Sequence, residues 1–252
     1  MAKVMIHRAV ILAAGMGTRL RDAAADFPKG FLRLGERPII EESIDALVQA
    51  GIDTIVIVTG HCAGHYEALA ERRDGLVRTV HNEAFAESGS MYSLYSAREL
   101  IDDDFLLLES DLIYESRALA EILAHPADDA ILLSGSTGAG DEVYVSAKDG
   151  LLVDMSKDAS RLTDIAGELV GVSKISEALF EIMLRIAGKA FERSLRYDYE
   201  TDCLVAAAQE RAIACPVVSD LVWAEIDDPN HLRRARDHIY PEIRRRVNAA
   251  QN

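Results

Sequence analysis

The residues with chemical potential in this chain begin at Gly15-Met16-Gly17-Thr18-Arg19. Two glycines remove Cβ atoms where a backbone must turn or approach a ligand closely. Backbone N–H groups in such a loop can face an anion, and Arg19 adds a forked cationic donor. Pro28-Lys29 follows as a rigid turn presenting a second cation. A strand–turn pair alone would also account for the two glycines. The dinucleotide fingerprint needs a third Gly where Leu20 stands, and no Gly-Lys-Ser/Thr string of a Walker A loop occurs. Two carboxylates complete the set. Asp111 leaves the apolar run Asp104 to Glu109, and Asp227 follows the run Val217 to Ile226. A carboxylate at the carboxyl end of a buried strand sits where a metal or substrate is held, or else caps a loop.

The elements that must position these residues read as an α/β alternation. Ala9 to Ala14 is a short, branched, apolar run, suited to a central parallel strand buried on both faces. Ile39, Ile40, Ile44, Leu47 and Val48 recur at helical spacing up to Gly51. Strands are expected over Asp53 to Thr59 and Leu76 to Val80, with a polar helix over Ala63 to Arg73 between them. Strand, helix, strand, helix, strand is the order of a parallel doubly wound sheet. Ligands in such sheets bind beyond the strands' carboxyl ends, where the Gly15 loop and Asn82 both fall. Ser88 or Ser90 can cap a helix carrying Met91, Leu94 and Tyr95, and its N-terminus, with Gly89, can face a nucleotide.

The second half continues with a helix over Glu115 to Ala124 and strands over Ala130 to Ser134, Leu151 to Met155 and Gly167 to Ile175. The loop Gly135 to Gly140 reads as a flexible lid. A striped helix covers Ala178 to Ile186, and Tyr197 to Asp202 opens another. Asp228-Pro229 supplies cap and first residue of the final helix. The basic run Arg233 to Arg246 reads as the solvated face of that helix, with room for a homodimer contact.

Composition narrows the classes. The 252 residues are 49% apolar and 27% charged, a globular balance. A net charge of −15 argues against nucleic acid or an anionic membrane as partner. It also means that polyphosphate binding needs positive charge focused locally, or a metal. Cys62, Cys203 and Cys215 are scattered and odd in number, which suits a reducing cytoplasm. His61, Cys62 and His65 fit no strong zinc spacing and read as surface or helix-start residues. Lys3 and Arg8 precede only a six-residue apolar run, so no signal peptide is expected, and no apolar run is long enough to span a membrane.

The full string A-A-G-x-G-T-R with a downstream P-K resembles the signature of nucleotidyltransferases, which join an NTP to a phosphorylated acceptor and release pyrophosphate. Many members have Pro and Thr where this chain reads Arg21-Asp22-Ala23-Ala24. The resemblance implies a Rossmann-like α/β fold with a mixed, mostly parallel sheet. It places the nucleotide on Leu12, Ala13, Ala14, Gly15, Met16, Gly17 and Thr18, with Asn82, Gly89, Ser90 and Ser110 beside it. It makes Arg19, Lys29 and Lys157 the catalytic cations and gives Asp111, in L-E-S-D-L, and Asp227, in E-I-D, to Mg²⁺. Mg²⁺ needs only one or two carboxylates beside substrate phosphates.

The string S-G-S-M-Y-S-L-Y resembles the cytidylyltransferases of small acceptors such as phosphocholine and 2-aminoethylphosphonate, and D-E-V-Y-V, M-S-K-D and E-L-V-G-V-S-K-I together look closest to the 2-aminoethylphosphonate enzymes, with phosphocholine cytidylyltransferases next. CTP is the expected donor and a small phosphonate or phosphate the acceptor. The acceptor would meet Asp141, Tyr144, Glu200, Asp202 and Trp223. One domain over residues 1–252 is expected: about 1–111 for the nucleotide, about 112–227 for the acceptor, and 228–252 as terminal helix. A sugar-1-phosphate nucleotidyltransferase and a catalytically silent nucleotide-binding regulator are the rivals; a dehydrogenase is disfavoured by Leu20.

Overall fold

A computed structural model describes residues 5–20 and 27–250. The Arg21-Asp22-Ala23-Ala24 segment lies outside the described residues. The central strand β1 (Arg8–Ala13) runs parallel to β2 (Thr54–Thr59) and to β4 (Phe105–Glu109), and β2 runs parallel to β3 (Val77–His81). Successive side chains on a strand point to opposite faces. That alternation splits β1 between two cores. Ala9, Ile11 and Ala13 join Ile55, Ile57, Leu106 and Leu108 on one face, while Val10 and Leu12 join Val56, Val58, Phe105 and Leu107 on the other. Continuous apolar runs are therefore what β1, β2 and β4 require, because both faces of these central strands are covered.

The first core is closed by α1 (Ile39–Gln49), α2 (Ala63–Arg72) and α4 (Arg117–Ala124). The second is closed by α3 (Ser90–Ser96), α5 (Glu177–Phe191) and the π-helical stretch Tyr199–Leu204 leading into α6 (Val205–Ala207). Beyond β4 the sheet turns mixed. The long strand β9 (Ile165–Ile175) is antiparallel to β4 and to β6 (Ala130–Ser134), and the hairpin β7 (Tyr144–Lys148) and β8 (Leu151–Ser156) adds to β9.

Three expectations change here. Val217 to Ile226 is not one strand. It divides into β10 (Val217–Val218), parallel to β6, and β11 (Trp223–Glu225), which pairs antiparallel with the unforeseen β5 (Leu112–Tyr114). The helix expected from Glu115 starts at Arg117, because Glu115 turns inward and accepts from Arg117, Arg246 and the Val222 backbone. Arg246 of the terminal helix α8 (Tyr240–Ala250) and Arg234 of α7 (Pro229–Arg234), which donates to the Thr137 carbonyl, are thus tied inward rather than solvated.

Candidate active site

The β5–β11 ribbon builds the site. Glu225 is in register with Leu112, and the Ile226 amide donates to the Asp111 carbonyl at 3.1 Å. The ends of β4 and β11 therefore meet, bringing Glu109-Ser110-Asp111 beside Glu225-Ile226-Asp227. Asp111 and Asp227 both accept from the Lys29 ammonium. Lys29 opens a single turn, Lys29–Phe31, whose start is set by Pro28. Burial works against the charge on Lys29, but the two aspartates outweigh it and hold its pKa above the usual value. Burial likewise opposes ionisation of Asp227, and Lys29 and Arg19 reverse that, so its pKa falls below the usual value. Arg19 reaches Asp227 at 3.5 Å while remaining exposed.

Two carboxylates that the sequence reading passed over stand beside these. Ligand oxygens of Glu109, Asp111 and Glu225 lie within 4.8 Å of one another. Burial and repulsion from neighbouring carboxylates push both glutamates well above the usual range. The signal was present: E-S-D and E-I-D each place two carboxylates two residues apart at a strand end, and alternate residues share a face. Clustered hard oxygen donors that repel one another suit a divalent cation such as Mg²⁺.

Glu109 and Glu225 form the wall between two cavities. The first, on the β1 side, is lined by Leu12, Ala13, Ala14, Gly15, Lys29, Gly89, Ser90, Ser110 and Asp111, with Tyr66, Phe85, Ser88 and Ser93. Met16, Gly17 and Thr18 flank this cavity without lining it. Gly17 has φ +56°, a left-handed value that glycine adopts without a Cβ clash, and Lys29 Cγ would lie 3.3 Å from a Cβ there. Neither serine caps α3. The cap position is Gly89, with no side-chain bond, and Asp198 accepts from the Ser90 amide and hydroxyl instead. Asn82 acts one layer back: its amide donates to the hydroxyls of Ser88 and Ser93, each at 3.0 Å, and so orders the cavity wall.

The second cavity is lined by Asp141, Glu142, Glu200, Trp223, Thr137 and Arg234, among others. Glu200 is half-buried; burial and Glu225 raise its pKa to about 7 against the pull of Lys157 and the Tyr199 hydroxyl. Lys157, exposed after β8, directs its charge at both Glu200 and Asp227. Two expected acceptor residues do not reach this cavity. Asp202 accepts from the Asp198 amide at the start of the helix that opens here as expected, Tyr199–Leu204, and Tyr144 donates to Glu142. Trp223 is present, but its indole N–H is spent on Ser134 at 2.8 Å.

The glycine-rich loop over this cavity is tethered, not free. Thr137 donates its amide to Glu168 at 2.8 Å, Arg234 donates to the Thr137 carbonyl at 2.9 Å, and Asp141 lies 3.4 Å from His231. Burial disfavours the Glu142 carboxylate, but backbone amides at Glu142, Gly140 and Ala139 outweigh it and hold the pKa below the usual value. His61, Cys62 and His65 lie at the start of α2, as expected, with Cys62 in the cap position.

Known proteins resemble this chain in sequence and in fold. A "CMP-5'-(3-aminopropyl)phosphonate synthase" of Streptomyces rubellomurinus is 31% identical over 93% of this chain and 39% of its own length. A "2-aminoethylphosphonate cytidylyltransferase" of Lancefieldella rimae is 30% identical over 60% of this chain and 61% of its own length. A "Choline-phosphate cytidylyltransferase" of Streptococcus pneumoniae is 32% identical over 43% of this chain and 47% of its own length. The chain thus spans less than two thirds of the length of each of these relatives. The inositol-1-phosphate CTP transferase of T. maritima superposes with a TM-score of 0.80 at 19% identity, covering 96% of this chain and 97% of that one. Residues 9–150, which carry the glycine loop, Lys29, the α3 start and Asp111, match the MobA-like NTP transferase domain, and the chain belongs to that family.

Proposed function

We propose that this protein is a Mg²⁺-dependent cytidylyltransferase that joins CMP from CTP to 2-aminoethylphosphonate and releases pyrophosphate. The single observation that carries the acceptor assignment is the lining of the second cavity. Asp141, Glu142 and Glu200 surround it, and Trp223 is its one aromatic among the described residues. A quaternary ammonium is best held by an aromatic cage. A primary ammonium has three donors and suits carboxylates. Tyr144, Tyr197 and Tyr199, which could have completed a cage, are not on that wall. The names of the two phosphonate relatives support the same direction.

In this reading the nucleotide occupies the β1-side cavity with its triphosphate toward Lys29 and Arg19. An oxygen of the acceptor phosphonate attacks the α-phosphorus in line, and the bond to the β-phosphate oxygen breaks. No nucleophilic side chain is needed, because a phosphate-type oxygen is already largely ionised near neutral pH, with a second pKa of about 6. Lys29, held between Asp111 and Asp227, and Arg19 neutralise charge that builds on the leaving pyrophosphate. Lys157 orients the acceptor's anionic end, and Glu200 and Asp141 receive its ammonium. Asp111 and Asp227, with Glu109 and Glu225 beside them, would hold Mg²⁺, which when bound supplies further charge neutralisation at the triphosphate. Positioning and electrostatics account for the catalysis.

A pyrophosphate-release assay with each of the four NTPs, Mg²⁺ and 2-aminoethylphosphonate tests the donor. CTP should exceed every other nucleotide by at least about tenfold in kcat/KM, since a site that hydrogen-bonds a base discriminates strongly against wrong donors and acceptors. Equal release from UTP, or none from any nucleotide, contradicts the assignment.

A further inference from the structure

Tyr66, on α2, presents a buried hydroxyl that the chemistry above does not use, and it lies against the Lys29 turn. The residue is 0% exposed, and its ring meets Phe31 edge-on, with centroids 5.2 Å apart. Its hydroxyl interacts with the Ser110 side chain and the Gly30 backbone. One phenol therefore touches the residue after Lys29 and the residue before Asp111. A Cβ placed on Gly30 would fall 2.8 Å from the Tyr66 hydroxyl oxygen and 3.0 Å from the Ser110 carbonyl oxygen. Real side chains do not tolerate the first of these distances and rarely show the second, so the Lys29 turn sits against the Tyr66 hydroxyl and the Ser110 carbonyl with no room for a side chain at position 30. A phenol that only filled space would leave its hydroxyl desolvated at a cost. Here the two hydrogen-bonding partners offset it.

We infer that Tyr66 is a positioning residue. Its hydroxyl fixes the Lys29 turn against Ser110 and so sets the ammonium between Asp111 and Asp227. The kinetic consequence rests on the nucleotidyl-transfer reading; the structural one does not.

Tyr66→Phe keeps the ring and its contact with Phe31 and removes the hydroxyl. Mass spectrometry of the free protein during brief amine acetylation reads the position of Lys29 directly. Its side chain is 17% exposed and paired with two carboxylates, so it should be modified slowly. In Tyr66→Phe the Lys29 rate should rise about two- to tenfold, the range that one lost hydrogen bond spans, while exposed Lys157 is unchanged. In turnover, kcat normalised to the folded fraction should fall by a similar factor with KM for CTP nearly constant, whereas a general loss of stability leaves the normalised kcat at the wild-type value. Gly30→Ala drives a methyl group at the hydroxyl, so the double variant should lose less than the product of the two single losses. A wild-type Lys29 acetylation rate in Tyr66→Phe, or multiplicative losses in the double variant, overturns the role. Faster acetylation of Lys29 without nucleotide turnover in the wild-type protein supports the positioning and removes only the transfer reading.

Discussion

Asp111 and Asp227 each lie at the end of a strand, and the two strands are 114 residues or more apart in sequence until the ribbon joins them. Both hold the same ammonium, and Glu109 and Asp111 share a cluster with Glu225. Asp111→Asn keeps the volume and removes one charge from that cluster, and Asp227→Asn removes one from the other side of the shared ammonium. Turnover in Mg²⁺ should fall by at least about a hundredfold, the scale of losing one strong electrostatic stabiliser. Near-normal kcat in both variants would remove the proposed site. The aspartates were legible because each ends an apolar run. Glu109 and Glu225 were not, because each closes a run that already reads as strand, and their purpose depends on a pairing between β5 and β11 too short to show a period of its own. Asn82 and Asp202 were placed in the site from local position, and the structure assigns both to backbone and serine contacts behind it.

At the scale of elements, the strongly patterned pieces were readable. β1, β2 and β4 are buried on both faces, and α1 and α5 carry apolar stripes, so their periods survive in the sequence. The pieces that shape the acceptor side were less so. The loop from Gly135 to Glu142 looks mobile by composition, yet Glu168, Arg234 and His231 hold it from distant segments. The start of α7 is one local device that sequence reading placed correctly. Asp228 accepts from the Asn230 and His231 amides, at 2.7 and 2.9 Å, immediately after Asp227. Asp228→Ala should lower unfolding stability by about 1 kcal/mol in urea titration and also reduce turnover, because the cap sets the direction in which Asp227 leaves the ribbon. Asp228→Asn, which keeps the acceptor oxygen, should restore most of both. Unaltered stability in Asp228→Ala would show that the cap does not hold this corner.

For the whole molecule, a net charge of −15 surrounds a cleft in which Lys29, Arg19 and Lys157 converge on the strand ends. Polyphosphate can enter such a protein only where cations are gathered, and the acidic excess elsewhere turns other polyanions away. No helix among the described residues is long and apolar enough to cross a membrane. Glu109 and Glu225 line both cavities, and in the proposed reaction CTP and the acceptor would lie on opposite sides of this carboxylate wall. It makes the character of the acceptor side the central claim. Its most direct test is pyrophosphate release from CTP and Mg²⁺ with 2-aminoethylphosphonate and with phosphocholine, side by side. The primary ammonium should be preferred by at least about tenfold in kcat/KM, the ratio expected when a buried carboxylate would otherwise lose its hydrogen-bond donor. Equal or better turnover of phosphocholine would contradict the acceptor assignment.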